Sequence, residues 1–318
     1  MRTIKFSKLN GQGNDFVLID ALKEDIILSG QEIARICDRH FGVGADGVIL
    51  VRKSLKADLF MDYYNSDGSS AEMCGNGIRC MAKFAYDNHL INSDSVLIET
   101  RAGIKNINLK ILKNNEIGEI QVDMGAPVFD SAKIPVDLNL LKNELNNSVK
   151  KSGKQLFSNS LTQTLKSDAY KNFVFNYFLK INRKNYNINC ISMGNPHCVI
   201  FLRKNDNFDD INISDIGPKI ENHPFFPKKT NVEFIKVENK EEISMMVWER
   251  GCGETLACGT GACASVVAAI VLGKVKPGSI RVNLKGGALN IMWNGSKLDS
   301  VFLKGTAELS FKGELFLN

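Results

Sequence analysis

Two cysteines stand in matching surroundings, Cys74-Gly75-Asn76-Gly77 and Cys258-Gly259-Thr260-Gly261. Each tetrapeptide reads as the opening of a helix. The N–H groups of a first helical turn lack intrahelical partners and point outward. Glycine lets a bound group approach the backbone closely. The helix dipole favours an anion there, either a thiolate or a substrate carboxylate. Cys74 and Cys258 are therefore expected to have lowered pKa values, each with an anion site beside it. A thiolate on one side of a carbon and a thiol on the other suit stereoinversion. One removes the α-proton and the other returns a proton to the opposite face, while the helix N-termini stabilise charge developing on the α-carboxylate. Such chemistry needs no organic cofactor. A redox disulfide is the alternative use of two thiols, but redox motifs usually place them close in sequence.

The elements that must position these thiols occur twice. In the first half, Gly13-Asn14-Asp15-Phe16-Val17-Leu18-Ile19 lies upstream of Asn65, which stands nine residues before Cys74. In the second half, Gly194-Asn195-Pro196-His197-Cys198-Val199-Ile200 lies upstream of Glu249, nine residues before Cys258. Alternating or apolar runs predict strands at 4–9, 16–19, 48–51, 59–64, 96–100, 106–112 and 118–124, and again at 232–237 and 243–249. Residues 191–202 hold a Gly-Asn-Pro turn, and Phe173 to Ile181 reads as a possible strand. Helices are expected at 31–40, with His40 at the edge of the core, and at 77–91 and 260–272, the last apolar all round and so buried. Gly125-Ala126-Pro127 is a plausible boundary.

Composition narrows the class. The chain has 318 residues, enough for about two domains, with 44% apolar and 24% charged residues. No apolar window is long enough for a membrane span. The start, Met1-Arg2-Thr3-Ile4-Lys5-Phe6-Ser7, lacks a secretory pattern, so a cytoplasmic protein is expected. The net charge of +5 is local. Between residues 138 and 190, nine Lys/Arg face only Glu144 and Asp168. That Asn/Lys/Ser-rich stretch reads as a solvated surface insertion. No nucleic-acid-binding module accompanies it. Eight cysteines without an export signal are expected to stay reduced. Cys74-x5-Cys80 and Cys252-x5-Cys258 lack the short Cys-x2-Cys hook of a zinc site, so no metal is expected. Cys37, Cys80, Cys190, Cys198 and Cys263 read as packing residues, and Cys252 receives no role.

Taken together, these motifs resemble the diaminopimelate epimerases, amino-acid epimerases that work without pyridoxal phosphate. The resemblance rests on Gly11-Gln12-Gly13-Asn14-Asp15-Phe16, Asn65-Ser66-Asp67-Gly68-Ser69, Met73-Cys74-Gly75-Asn76-Gly77-Ile78-Arg79-Cys80, Met193-Gly194-Asn195-Pro196-His197-Cys198, and Glu249-Arg250-Gly251 with Ala257-Cys258-Gly259-Thr260-Gly261-Ala262. It implies an α/β fold of two pseudo-symmetric domains, each a mixed or antiparallel sheet or barrel wrapped around a central helix. The active site would lie in the cleft between them. On this reading residues 1–125 with 305–318 carry Cys74, and residues 126–304 carry Cys258 and include a variable insertion near 138–190. The implied reaction is interconversion of LL- and meso-diaminopimelate, on the route to lysine and peptidoglycan, by a homodimer. By carry-over, Cys74 and Cys258 are the acid/base pair. Asn14, Asn65, Gly75, Asn76, Asn195, Asn231, Glu249, Arg250, Gly259 and Thr260 would bind substrate, Arg250 through the distal carboxylate. His197 and Glu249 would tune the thiols. Gly47 departs from relatives that carry a substrate-contacting Gln at that turn.

Two other functions fit parts of the pattern. Proline and hydroxyproline racemases use the same two-thiol chemistry, but usually show Cys-Gly-His-Gly where this chain has Asn76. A non-catalytic thiol sensor or metal-binding module would show stoichiometric zinc and no turnover.

Overall fold

The computed structural model describes residues 2–138, 140, 172–182 and 184–317. Most of the basic stretch, including Lys142, Lys150, Lys151, Lys154, Lys166, Lys171 and Arg183, lies outside the described residues. The chain forms two compact units. One comprises Met1–Met124, Gly286–Asn290 and Phe302–Asn318; the other comprises Gly125–Lys285 and Ile291–Val301.

In the first unit, strand β1 (Arg2–Gly11) runs antiparallel to β2 (Asn14–Asp20). Strand β2 is parallel to β3 (Gly47–Arg52), with helix α1 (Gly30–Cys37) as the crossover. Strand β3 is antiparallel to β4 (Leu59–Asn65). Helix α2 (Gly75–Asp87) then connects β4 to a parallel β5 (Ser95–Thr100). Strands β6 (Gly103–Ile111) and β7 (Ile117–Asp123) continue antiparallel. The strands are arranged around α2, in which Ile78, Cys80, Met81, Ala82 and Ala85 are fully buried.

The second unit repeats that connectivity. Strand β8 (Tyr177–Ile181) precedes β9 (Lys184–Ser192). Strand β9 is antiparallel to β10 (Pro196–Phe201), and β10 is parallel to β11 (Asn231–Asn239) across helix α3 (Ile213–Glu221). Strand β11 is antiparallel to β12 (Glu242–Glu249), which also pairs with the short β13 (Gly253–Thr255). Helix α4 (Gly259–Val271) then crosses to a parallel β14 (Gly278–Leu284). Strand for strand, β1-β2-α1-β3-β4-α2-β5 matches β9-β10-α3-β11-β12-α4-β14. Strand β15 (Gly287–Trp293) follows, and the chain ends in the first unit, where β16 (Phe302–Gly305) pairs with β7 and β17 (Glu308–Leu317) with β1.

The structure revises three expectations. His40 does not edge the core: α1 stops at Cys37, Asp38 accepts the N–H groups of His40 and Phe41, and His40 is exposed. The stretch near 138–190 is not all surface insertion. Val174, Leu179, Ile181, Tyr186, Ile188 and Cys190 belong to the core of the second unit. Helix α3 was not expected, because Pro218 interrupts its pattern. It seats Trp248 against Gly217, where a Cβ would lie 2.5 Å from the indole Cγ.

Candidate active site

Both cysteines are N-caps of thirteen-residue helices, Cys74 of α2 and Cys258 of α4, each with extended backbone. Ser, Thr, Asp and Asn are the residues that stabilise an N-cap best. A thiol is not among them; the Cys258 sulfur accepts the Gly261 N–H as a cap, and Cys74 makes no side-chain cap bond. In each unit a left-handed glycine, Gly13 (φ 80°) or Gly194 (φ 96°), turns the chain so that Asn14 or Asn195 stands at the mouth of the next strand.

Around α2 the polar groups are amides. The Cys74 Sγ donates to Asn14 Oδ1 at 3.5 Å, and Asn76 Nδ2 donates to the same oxygen at 3.2 Å. Asp46 Oδ2 accepts from Asn14 Nδ2 at 2.6 Å and fixes its flip. Asn76 is held in turn by Arg79, whose Nη2 donates to Asn76 Oδ1 at 3.0 Å and also to Gln12 Oε1. The Arg79 Nη1 donates to Gly75 O at 3.0 Å. Asn65, at the end of β4, donates to Ser69 Oγ at 3.1 Å. Gly47 has no room for any side chain, because a Cβ would lie 2.5 Å from Tyr64 O. The missing Gln is thus built into the β3–β4 contact.

Around α4 the polar groups are titratable. Cys258 is buried, and its Sγ accepts Gly261 N–H at 3.4 Å and lies 3.5 Å from Thr260 Oγ1. Glu249, at the end of β12, accepts from Thr255 Oγ1 at 2.5 Å and from the Cys258 thiol. Burial pushes the Glu249 carboxyl up, and those two donors partly oppose the rise. His197 is fully buried between Glu233 Oε1, 2.6 Å from Nδ1, and Asn195 Oδ1, 2.9 Å from Nε2. Asn195 Nδ2 donates to Thr260 Oγ1 at 3.2 Å.

The expected lowering of both thiols fails at Cys258. Its thiol is raised well above the ordinary value, first by burial and then by the Glu249 and Glu233 carboxyls; the Thr260 hydroxyl and Gly261 N–H oppose this only in part. Desolvation and like charge outweigh the helix N-terminus here. The packing cysteines behave as expected. Cys37, Cys80, Cys190, Cys198 and Cys263 are buried, and burial raises Cys37 and Cys80 to about 12.

Two binding candidates are engaged with backbone. Asn231 Nδ2 donates to Pro196 O at 2.8 Å, and its Oδ1 accepts Arg250 N–H at 2.9 Å. It ties the Gly-Asn-Pro turn to the end of β12. Arg250 is exposed and donates from Nη1 to Lys228 O at 3.2 Å. Sequence reasoning gave no role to Glu233, Arg79 or Gln12. For Arg79 and Glu233 the signal was present, since a charged residue inside an apolar helix or strand is buried only with partners. Among the described residues no cluster of His, Cys, Asp and Glu could hold a metal ion, and no helix is long and apolar enough to cross a membrane.

The duplicated frame of strands around a central helix recurs among solved structures. Solved structures of a PhzF-family phenazine biosynthesis protein from Bacillus anthracis (TM-score 0.66, 18% identity, 100% of both chains) and a probable proline racemase from Agrobacterium radiobacter (TM-score 0.66, 10% identity, 99% of this chain and 93% of that one) share it. At such identities they establish the fold alone. The diaminopimelate epimerase family pattern matches residues 6–129 and 189–310. A diaminopimelate epimerase of Leptospira biflexa is 43% identical over 312 residues, covering 98% of this chain and 99% of the relative. One from Methanococcus maripaludis is 39% identical over 313 residues, covering 98% and 99%. The chain belongs to the diaminopimelate epimerase family.

Proposed function

We propose that Cys74 and Cys258 are the acid/base pair with which this epimerase interconverts LL- and meso-2,6-diaminopimelate. The observation that carries the reading is the repeat itself: two thiols cap equivalent helices at the same station of one duplicated topology. One sulfur, as thiolate, takes the α-proton. The electron pair left on carbon spreads into the α-carboxylate, and the other sulfur, as thiol, delivers its proton to the opposite face. No oxidant or reductant is consumed, and the two sulfurs exchange protonation states with each turnover.

The raised Cys258 thiol suits the sulfur that enters protonated. In the reverse direction Cys258 must lose its proton, and Glu249, which already accepts from it, is placed to receive one. Open N–H groups at Gly75 and Asn76, and at Gly259 and Thr260, would hold the reacting carboxylate as charge develops on it. Asn14, Asn65 and Asn195 are taken as further substrate ligands, and Arg250 as the grip on the distal carboxylate. Asn231 would act through the backbone it braces.

The enzyme is further taken to act in the cytoplasm, where thiols stay reduced, as a homodimer supplying lysine and peptidoglycan synthesis. Sedimentation at several concentrations tests the dimer, and a monomer throughout refutes it.

The test of the reaction uses meso-diaminopimelate in deuterated water under reductant. Deuterium should enter the α-position as the LL isomer forms. Exchange of proline with no exchange of diaminopimelate would reverse the substrate assignment.

A further inference from the structure

Glu233 is the one carboxyl near Cys258 that neither the sequence reading nor the proposed mechanism uses. It lies on β11 and is fully buried; its Oε2 has no hydrogen-bond partner. A fully ionised carboxylate with one bare buried oxygen is costly. Burial accordingly pushes this carboxyl up, against the opposing effect of His197.

The hydrogen bonds leading away from it have a direction. Asn195 Oδ1 can only accept, so the 2.9 Å contact requires a hydrogen on His197 Nε2. The 2.6 Å contact on the other side then holds one further proton between Nδ1 and Glu233 Oε1. With its oxygen satisfied by His197, the Asn195 amide turns its N–H toward Thr260 Oγ1. That hydroxyl is left to donate its own hydrogen to the Cys258 sulfur, 3.5 Å away. Gly261 makes room for the arrangement: a Cβ there would lie 2.7 Å from Glu233 Oε1.

We propose that Glu233 is a positioning residue for the proton transfer at Cys258, acting through the chain Glu233–His197–Asn195–Thr260 to aim a hydroxyl hydrogen at the sulfur. The proposal rests on the assignment of Cys258 as an acid/base residue. Without a donor at Nδ1, His197 is released to carry its hydrogen there. Nε2 then becomes an acceptor facing Asn195, the amide flips to donate to it, and the Thr260 hydroxyl turns toward the flipped amide oxygen and away from the thiolate. Glu233 and His197 together carry no net charge wherever their shared proton sits, so the imidazole offsets the upward push that the Glu233 carboxyl alone exerts on Cys258. Glu233→Gln therefore leaves the local charge unchanged and retains an N–H that can donate to Nδ1. Glu233→Leu removes the donor. The titratable groups facing the sulfur are Glu249 from β12, Glu233 from β11 and, through Asn195, His197 from β10.

The test reads the thiol directly. Iodoacetamide labelling across pH, with mass spectrometry resolving each cysteine, gives a midpoint for Cys258 and for Cys74 in the same sample. Glu233→Leu should raise the Cys258 midpoint by about 1–2 pH units, as expected for loss of a hydrogen bond to a charged group, and leave Cys74 where it was. Glu233→Gln should restore the wild-type midpoint. Adding Thr260→Val to Glu233→Leu should bring no further shift, because both changes remove the same donor. A wild-type midpoint in a folded Glu233→Leu protein overturns the proposal, as does a shift in Glu233→Gln equal to that in Leu.

If Glu233→Leu does not fold, nitrogen-15 spectra of histidine-labelled wild-type protein decide. A hydrogen on His197 Nε2 supports the chain, and a hydrogen on Nδ1 alone overturns it. Neither readout uses turnover. An active Cys258→Ala enzyme would refute the two-thiol mechanism while leaving the labelling and spectroscopic results to judge Glu233 separately.

Discussion

Cys74 and Cys258 cap helices of equal length in equivalent strands-and-helix frames, yet different groups face each sulfur. Cys74 is half-buried and meets the amide of Asn14, which Asp46 and Asn76 hold in place, Asn76 being held in turn by Arg79. Cys258 is buried and meets Glu249 and Thr260, with Glu233 and His197 behind them. The positions that correspond in the repeat, Asn65 and Glu249, differ by a charge. Backbone topology thus sets where the two sulfurs stand, while burial and then the carboxyls of neighbouring strands raise the Cys258 thiol. The proposed reaction, which needs one thiolate and one thiol, would be served by halves that have diverged in this way.

The largest expected effect removes one half at a time. Cys74→Ala and Cys258→Ala should each lower the rate of inversion by at least about 10²–10⁴-fold, the range general acid–base groups supply. The two variants should differ in what survives. Each retains one base, so each should exchange the α-hydrogen of one isomer with deuterated water, and the two should choose opposite isomers. Deuterium entering both isomers equally in either variant would break the comparison.

A smaller contrast lies three residues further on. Gly77 and Gly261 are equivalent. A Cβ at Gly77 would meet the ends of Met61 and Ile49 at 3.1 and 3.2 Å, which can yield, whereas one at Gly261 would meet the buried Glu233 carboxyl at 2.7 Å. Gly261→Ala should therefore cost about 10²-fold in kcat by displacing groups around the sulfur, and Gly77→Ala should cost only a few-fold. Equal losses would show that the crowding behind Cys258 is irrelevant to rate.

The repeat was legible in sequence because each copy carries its own turn glycine, strand and thiol at fixed spacing, and these local signals survive divergence. The helix α2 was expected to begin at residue 77 and begins at Gly75, since its cap is the cysteine itself. Strand β8 falls within the expected Phe173 to Ile181 stretch, but β9 was submerged in polar, lysine-rich sequence, although Ile188 and Cys190 pack into the core. Alternation alone could not say which face met another element. The wrong sign for Cys258 has the same origin. A helix N-terminus is visible from local sequence, but the Glu233 and Glu249 carboxyls arrive from strands β11 and β12, and burial depends on everything packed around them. Burial first, and then like charge from distant strands, overruled a local argument.

The smallest prediction concerns stability. The folded Glu249 carboxyl is held above the ordinary glutamate range by burial, so the folded protein keeps that proton to a higher pH than the unfolded chain does. Its stabilising contribution is fully present below the unfolded value and is lost as pH rises through the raised folded value. Glu249→Gln never ionises and escapes the loss. Relative to wild type, its Tm should climb as pH is raised from about 4.5, even as its epimerase activity falls. Asn65→Asp places a carboxyl at the corresponding point of the first unit, beside the exposed Ser69 hydroxyl. It should show little such pH dependence. Thermal melts of both variants and wild type from acid to neutral pH measure the difference. Parallel curves for Glu249→Gln and wild type would mean that the carboxyl is solvated well enough to ionise normally, and that its burial does not distinguish the second half-site from the first.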